Sequence, residues 1–419
     1  QGTVPTPMTT YTARLADTTV AALLEEAPAL LVLGPRATGK TTTAARFART
    51  IVRLDRDSDA AAFRADPDVA LATLATPVLL DEWQVVPAVL GAVKRAVDTD
   101  RTPGRFILTG SVRADLQAPT WAGTGRVLRL DLGPMTVAER LGVGTRPFVD
   151  RVVAGAKLAP ARKHVDLRGY VELALTSGFP EAVFARSDSA RRRWLESYVE
   201  QVLTRDALDA ESGRDPTRLR RYFEAYALNT AGVVEDKKLY DAAGINRRTA
   251  VAYEGLLANL LVVDALPAWT SNRLKRLTLA PKRHLVDPGL LVGALGVDTA
   301  TVFADGDLLG RVLESFVAAQ LRAEASYTSS RARLYHLRTE QGRHEVDLLA
   351  EVGAGQVIGI EIKATSAPNA GDATHLAWLR DELRSRFLLG VVLHTGPRTF
   401  ELGERIVAAP ISTLWAPPK

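Results

Sequence analysis

The chain has 419 residues, 47% hydrophobic and 24% charged, enough apolar material for one to three packed domains. It has no cysteine, which excludes disulfides and thiolate metal sites and fits a cytoplasmic protein. The net charge of +5 sits mostly in arginine clusters and favours either a polyanion partner or a plain solvated surface. No apolar run approaches the roughly 20 residues of a membrane span, and no basic-then-apolar leader is visible.

Gln1 to Pro7 reads as an expression scar ahead of Met8, so residues 1–8 are set aside. Thr9 to Glu26 reads as a leading helix, with Leu15, Val20, Leu23 and Leu24 on one side. The apolar run Ala29 to Leu33 then enters Gly34-Pro35-Arg36-Ala37-Thr38-Gly39-Lys40-Thr41, and helix-forming residues follow from Thr42 to Ala48. Strand, glycine loop and helix fit the P-loop pattern GxxxxGK[ST] without a mismatch. The glycines let successive backbone N–H groups face one phosphate, and the helix start adds its dipole. Lys40 reaches the β- and γ-phosphates, and Thr41 can ligate Mg²⁺. The expected ligand is ATP or ADP, held by Gly34 through Thr42.

Ile51 to Asp55 is a second short strand, and Asp57 to Ala65 is helical, ending before Asp66-Pro67. Pro77-Val78-Leu79-Leu80-Asp81-Glu82-Trp83-Gln84 is an apolar strand ending in two carboxylates, the Walker B pattern. Asp81 would hold the Mg²⁺ shell and Glu82 would orient or deprotonate the attacking water. Val85 to Val97 is a helix. Arg105 to Ser111 is a buried strand whose Thr109 and Ser111 can sense a γ-phosphate. Val127 to Leu130 is a further strand, preceded by Arg126. Strands alternating with helices imply a parallel sheet covered on both faces, with ligands at the strands' carboxyl ends. Gly34, Asp81 and Ser111 all lie at such ends.

These stretches, with Gly178-Phe179-Pro180-Glu181 and Asp287-Pro288-Gly289, resemble a bacterial and archaeal branch of AAA+-like P-loop ATPases. In that branch a C-terminal domain of unassigned function follows the ATPase. The resemblance implies an arginine, from a neighbouring subunit or domain, that stabilises transition-state charge; Arg113 and Arg126 are the candidates.

Gly142 to Arg168 has no clear period and reads as a linker or long loop. Leu167 to Leu175 is helical and ends at the Gly178-Phe179-Pro180 turn. Ala190 to Leu208 is an amphipathic helix carrying Arg191-Arg192-Arg193-Trp194, a solvated face or a track for phosphates. Helices over Arg218–Leu228 and Glu235–Ala243, a turn at Gly244, and a helix capped by Asn246 and running from Arg247 to Leu261 fit a winged helix-turn-helix. Arg247 and Arg248 open its recognition helix. Arg273, Lys275 and Arg276 would lie on the wing, with Lys282-Arg283 after it. Winged helices also serve as protein-packing modules, so DNA and a protein partner both remain open.

Leu308 to Ala325 is a helix containing Glu314. Strands over Leu334–Arg338, Glu345–Ala350 and Val357–Ala364 follow, and Val391 to His394 would close the sheet after a helix around Trp378. Asp347, with Glu361-x-Lys363 on the next strand, resembles the PD-(D/E)xK nuclease motif. Period two puts Glu361 and Lys363 on one face, and Asp347 can share it. Such a set, with Glu314 as fourth member, would bind Mg²⁺ or Mn²⁺ and activate water against a phosphodiester, Lys363 stabilising the developing charge. The same fold also serves for binding alone. His336 and His344 read as surface or hydrogen-bonding residues.

The expected fold is α/β: a P-loop parallel sheet with helices on both faces (9–141), a linker (142–168), a helical lid (169–215), a winged helix (216–285) and a small α/β nuclease-like domain (286–419). The expected function is a Mg²⁺-dependent ATPase coupled to DNA binding and to nucleic-acid cleavage. The alternative is a nucleotide-gated protein-interaction switch whose nuclease-like domain is silent. Oligomeric state stays open.

Overall fold

The computed structural model describes residues 11–112, 124–206, 215–339, 342–353 and 355–417. The first unit is a five-stranded sheet of β1 (Ala29–Leu33), β2 (Thr50–Arg53), β3 (Val78–Asp81), β4 (Phe106–Gly110) and β5 (Val127–Asp131), in the order β2-β3-β4-β1-β5. Every pairing is parallel, with Ala29 opposite both Phe106 and Val127. A parallel central strand is buried on both faces, which is why β1 is an unbroken apolar run. Its side chains alternate between two cores. Ala29, Leu31 and Leu33 pack with helices α3 (Asp57–Ala65), α4 (Pro67–Ala72) and α5 (Ala88–Thr99), whereas Leu30 and Val32 pack with α1 (Ala16–Glu26) and α2 (Lys40–Ala45). The leading helix begins at Ala16; the expected expression scar at Gln1 to Pro7, Met8 and the expected helix start at Thr9 lie outside the described residues.

The stretch 142–168, expected as linker, holds a packed helix. Between α6 (Val137–Arg140) and α8 (Leu167–Thr176) lies α7 (Phe148–Val153). Arg151 donates to the carbonyls of Thr413, Leu414 and Ala416 at 2.8–3.0 Å, and Asp150 accepts from the backbone and hydroxyls of Ser329 and Ser330. Helices α9 (Pro180–Val183) and α10 (Asp188–Gln201) follow. Gly178 and Asp287, 109 positions apart, meet: the buried Asp287 carboxylate accepts from the amides of Gly178 and Gly289, each at 2.8 Å. A Cβ at Gly178 would stand 2.4 Å from the Met135 carbonyl, so only glycine fits there.

The middle region continues with α11 (Pro216–Leu228), α12 (Asp236–Ala243) and α13 (Arg247–Asn259). Gly244 ends α12 in the left-handed conformation, φ 64°, and Asn246 caps α13 by accepting from Thr249 N. An antiparallel ribbon of β6 (Val263–Leu266) and β7 (Lys282–Leu285) comes next. Its tip is not a plain hairpin: Asn272 caps a short helix, α14 (Arg273–Arg276). Helices α15 (Leu290–Leu295) and α16 (Thr299–Ala304) lead to α17 (Gly306–Ala325).

The last unit is a six-stranded mixed sheet in the order β12-β13-β11-β10-β9-β8, from β8 (Arg333–Arg338), β9 (Glu345–Val352), β10 (Gln356–Ile362), β11 (Phe387–His394), β12 (Phe400–Gly403) and β13 (Ile406–Pro410). The strand holding Val391 to His394 does not close it; β13 and β12 extend it further. One face buries α17 through Phe316 and Val317, and the other buries α18 (Thr374–Leu383) through Leu376 and Leu379. No helix among the described residues is long and apolar enough to cross a membrane.

Candidate nucleotide site and carboxylate cluster

The loop after β1 is shaped by two close approaches. A Cβ at Gly34 would lie 2.1 Å from the Leu132 carbonyl, and Gly39 has φ 89°. Ala37 also takes positive φ, 61°, so the loop curls its amides inward. The Lys40 ammonium, buried, donates to the Pro35 carbonyl at 2.7 Å across the loop's mouth. Burial lowers its pKa to about 8, against the upward pull of Glu82 and Asp81. Thr41 Oγ1 donates to Asp81 Oδ1 at 2.7 Å, and Thr109 Oγ1 donates to the same oxygen. Three motifs distant in sequence therefore meet at one sheet edge. A hydroxyl beside a carboxylate is a hard oxygen pair, a donor set that fits Mg²⁺.

Glu82 sits in the left-handed region, φ 54°, immediately after β3. That conformation costs about 1–3 kcal/mol for a residue with a Cβ. It turns the Glu82 carboxylate toward Ser111 and Gln84: Ser111 Oγ donates to Oε2 at 3.3 Å, and Gln84 Nε2 donates to the same atom. Thr109 accepts from the Glu82 amide at 3.3 Å. Ser111 is buried and lies with Glu82 rather than with the loop itself.

Arg14, ahead of the P-loop, belongs to no sequence motif. Its buried guanidinium donates to Glu139 Oε1 at 2.9 Å and to the carbonyls of Thr38 and Gly133, each at 2.8 Å. Glu139 closes a capping box with Thr136. The Thr-x-x-Glu spacing was the available signal for the box, but nothing local links it to Arg14. From α10, Tyr198 donates to the Arg36 carbonyl at 3.3 Å, stacks on Trp194 and lies tilted against Phe179.

Arg126 is placed elsewhere. It precedes β5, at the amino edge of the sheet, and pairs with Asp98 at 2.6 Å. The nucleotide loop lies at the opposite edge, so Arg126 cannot touch a phosphate bound in its own chain. Arg113 lies outside the described residues.

In the middle region Arg247 and Arg248 are exposed at the start of α13. The basic residues near the ribbon divide differently. Lys275 is exposed, between Leu274 and Leu277, which are 77% and 83% exposed. Arg276 turns inward, holding both Glu351 oxygens at 2.8 and 2.9 Å and lying over Trp269 and Tyr335. The Arg273 side chain is outside the described part. Lys282 and Arg283, expected beyond the wing, are both buried.

The C-terminal set converges in part. Glu314 from α17, Asp347 from β9 and Glu361 from β10 share one neighbourhood. Lys363 pairs with Glu361 at 3.2 Å, and Asp347 Oδ2 accepts from Ile362 N at 2.9 Å. Burial and then Asp347 raise the carboxyls of Glu314, to about 8, and of Glu361. The expected metal position holds a cation already: Lys282 Nζ lies 2.7 Å from Glu314, 3.5 Å from Glu345 and 3.8 Å from Asp347. No group of three or more His, Asp or Glu among the described residues is arranged to hold a metal ion. As folded, this donor set does not fit Mg²⁺ or Mn²⁺, and Glu314 serves Lys282.

Beside it opens a cavity of about 870 Å³, lined by Lys275, Arg338, Arg343, Arg386, His344 and Trp378. His344 lies flat on Trp378 at 4.1 Å and meets His375 edge-on. His336 is buried and bonds the Ala280 carbonyl at 3.1 Å.

Residues 26–141 match a family model described as an AAA domain. Residues 167–301 and 309–414 match two models, each described as a domain of unknown function (DUF8612 and DUF4143). The chain is 29% identical over 391 residues to "Uncharacterized protein Rv2008c" of Mycobacterium tuberculosis and, equally, to "Uncharacterized protein Mb2031c" of Mycobacterium bovis. Those matches cover 92% of this chain and 81% of each relative. The solved Walker-type ATPase PABY2304 of Pyrococcus abyssi is 15% identical, with a TM-score of 0.39, covering 66% of this chain and 94% of that one. The AAA match, with the loop geometry above, supports an AAA-like P-loop ATPase.

Proposed function

We propose that this chain hydrolyses ATP at the P-loop and that nucleotide turnover is coupled to DNA binding by its C-terminal half. The observation that carries the reading is the convergence of Lys40, Thr41, Asp81 and Thr109 at one sheet edge. Thr41 and Asp81 would hold Mg²⁺, which neutralises phosphate charge when bound. Lys40 exchanges the Pro35 carbonyl for phosphate oxygens. Glu82, oriented by Ser111 and Gln84, takes the proton from the attacking water. Steady-state phosphate release tests this. The Lys40→Ala variant should lose turnover, and a variant as active as the wild type would end the proposal.

DNA coupling is supported by exposed Arg247 and Arg248 at the start of α13 and by the basic cavity beside the C-terminal sheet. ATPase rates with and without duplex DNA test it, with stimulation as the expected result. Metal-dependent cleavage by Asp347, Glu361 and Lys363 would require Lys282 to leave the carboxylates first. The second reading, a nucleotide-gated switch that binds a protein and cuts nothing, is favoured by the Lys282 ammonium among the carboxylates. Cleavage of DNA with Mg²⁺ or Mn²⁺ that disappears in Asp347→Ala would exclude that reading.

A further inference from the structure

Lys282 is 1% exposed and comes from outside the C-terminal sheet. It is the first residue of β7, where successive side chains point to opposite sides. Arg283 faces the helix-turn-helix, pairing with Glu254 at 3.2 Å and with Asp236 and donating to the Val234 carbonyl. Lys282 faces the other way, into Glu314, Glu345 and Asp347. The ribbon is also sewn to the sheet edge: Trp269 N donates to the His336 carbonyl at 2.7 Å, and His336 N to the Pro267 carbonyl at 3.1 Å. The ribbon that carries the lysine is thus held to the sheet edge by backbone hydrogen bonds on one side and to the helices through Arg283 on the other.

Charge explains what the lysine does there. A buried group of carboxylates needs a counter-cation, and a cation-binding nuclease site would take it from solution. Here Lys363 serves Glu361, and Lys282 serves Glu314, Glu345 and Asp347. Those three carboxylates keep the Lys282 ammonium charged despite its burial. One oxygen is left over. Glu361 Oε1 is buried with no hydrogen-bond partner among the described residues. A divalent ion placed among the same oxygens would meet the ammonium at contact range, where repulsion in a buried site is strong.

We infer that the resident cation of the C-terminal carboxylate cluster is the Lys282 ammonium, and that the cluster takes up no divalent metal while it is in place. The inference rests on reading this unit as nuclease-like. It makes Lys282 the residue that decides between the two outputs proposed above: cleavage requires the ribbon to withdraw it, and without that movement the site is a structural ion-pair network.

The test uses the full chain without nucleotide and Mn²⁺ as probe, followed by paramagnetic resonance of the free ion. Wild type and Asp347→Asn should bind Mn²⁺ alike. Lys282→Met, which keeps the stem and removes the charge, should gain one site at least about tenfold tighter than wild type. The double variant K282M/D347N should lose that site. Wild-type Mn²⁺ binding that Asp347→Asn abolishes would overturn the inference, as would a folded K282M protein with no gain. If K282M fails to fold, the comparison of wild type with Asp347→Asn still decides. ATP turnover in the same preparations reports separately on the P-loop, so failure of one reading is not mistaken for failure of the other.

Discussion

Replacing Arg14 by Met tests whether the P-loop is held from behind. The methionine keeps much of the side chain's volume and removes all three hydrogen bonds, to Glu139, Thr38 and Gly133. A hydrogen bond to a charged group contributes about 1.5–3 kcal/mol, and neighbouring bonds do not add fully. The Glu139 side chain is 3% exposed and would keep only the amides of Leu15 and Thr136 and the Thr136 hydroxyl. Breaking a buried pair in this way costs about 3–5 kcal/mol. The Thr38 carbonyl, inside the loop, loses its anchor at the same time. We expect Arg14→Met to lower the stability of the ATPase unit by that amount and to weaken ATP binding about tenfold, while Arg14→Lys, with one donor end, recovers part of both. Urea unfolding with and without ATP and Mg²⁺ reads the two effects together, because a ligand stabilises in proportion to the logarithm of its affinity. An Arg14→Met protein with the wild-type midpoint and the wild-type gain from ATP would refute the reasoning.

Glu82→Gln should cut phosphate release by about 10²–10⁴ while fluorescent ATP still binds; equal turnover would remove Glu82 from the role of base. Lys40 is lowered to about 8 by burial, and phosphate requires its charged form. ATP affinity should therefore be full below pH 8 and fall by up to about tenfold per pH unit above it, with proton uptake visible by calorimetry in buffers of different ionisation heat. Constant affinity from pH 7 to 10 would contradict this. Burial raises the Glu324 carboxyl to about 8, so its contribution to stability is complete below about pH 4.5 and is lost as pH rises through 8. Glu324→Gln should flatten that decline, by a few kcal/mol at pH 8.5, in urea melts. Arg247→Ala with Arg248→Ala should lower the salt slope of DNA binding by about 2; an unchanged slope would take α13 off the DNA.

What could be read from the sequence was what local chemistry encodes. The P-loop, Asp81-Glu82 and the Glu361-x-Lys363 pair are each written within a few residues, and strand periodicity alone puts the last two side chains on one face. What could not be read lies in pairings across the chain. Arg14 gives no signal because Glu139 is 125 positions away. Arg276 looks like a wing residue until Glu351, 75 positions on, is seen to hold it. Lys282 and Arg283 form a basic dipeptide in one dimension, yet in three they face different units, because a strand separates neighbours. The 142–168 stretch lacks a period because its one helix is only six residues long, too short for its apolar face of Phe148, Val149 and Val152 to repeat, and polar contacts to distant residues add to it.

Those clamps bear on how the protein is made. The carbonyls bound by Arg151 belong to residues 262 to 265 positions later. During synthesis the guanidinium leaves the ribosome long before its acceptors exist. Contacts of such sequence separation form slowly and late. The P-loop sheet, whose strands all lie between Ala29 and Asp131, can assemble while the rest is still being translated. Helix α7 cannot complete its polar contacts until residues 413–416 have emerged. A nascent chain paused before that point should carry a folded nucleotide site and a middle segment still open to protease, a state that limited proteolysis of stalled chains would reveal.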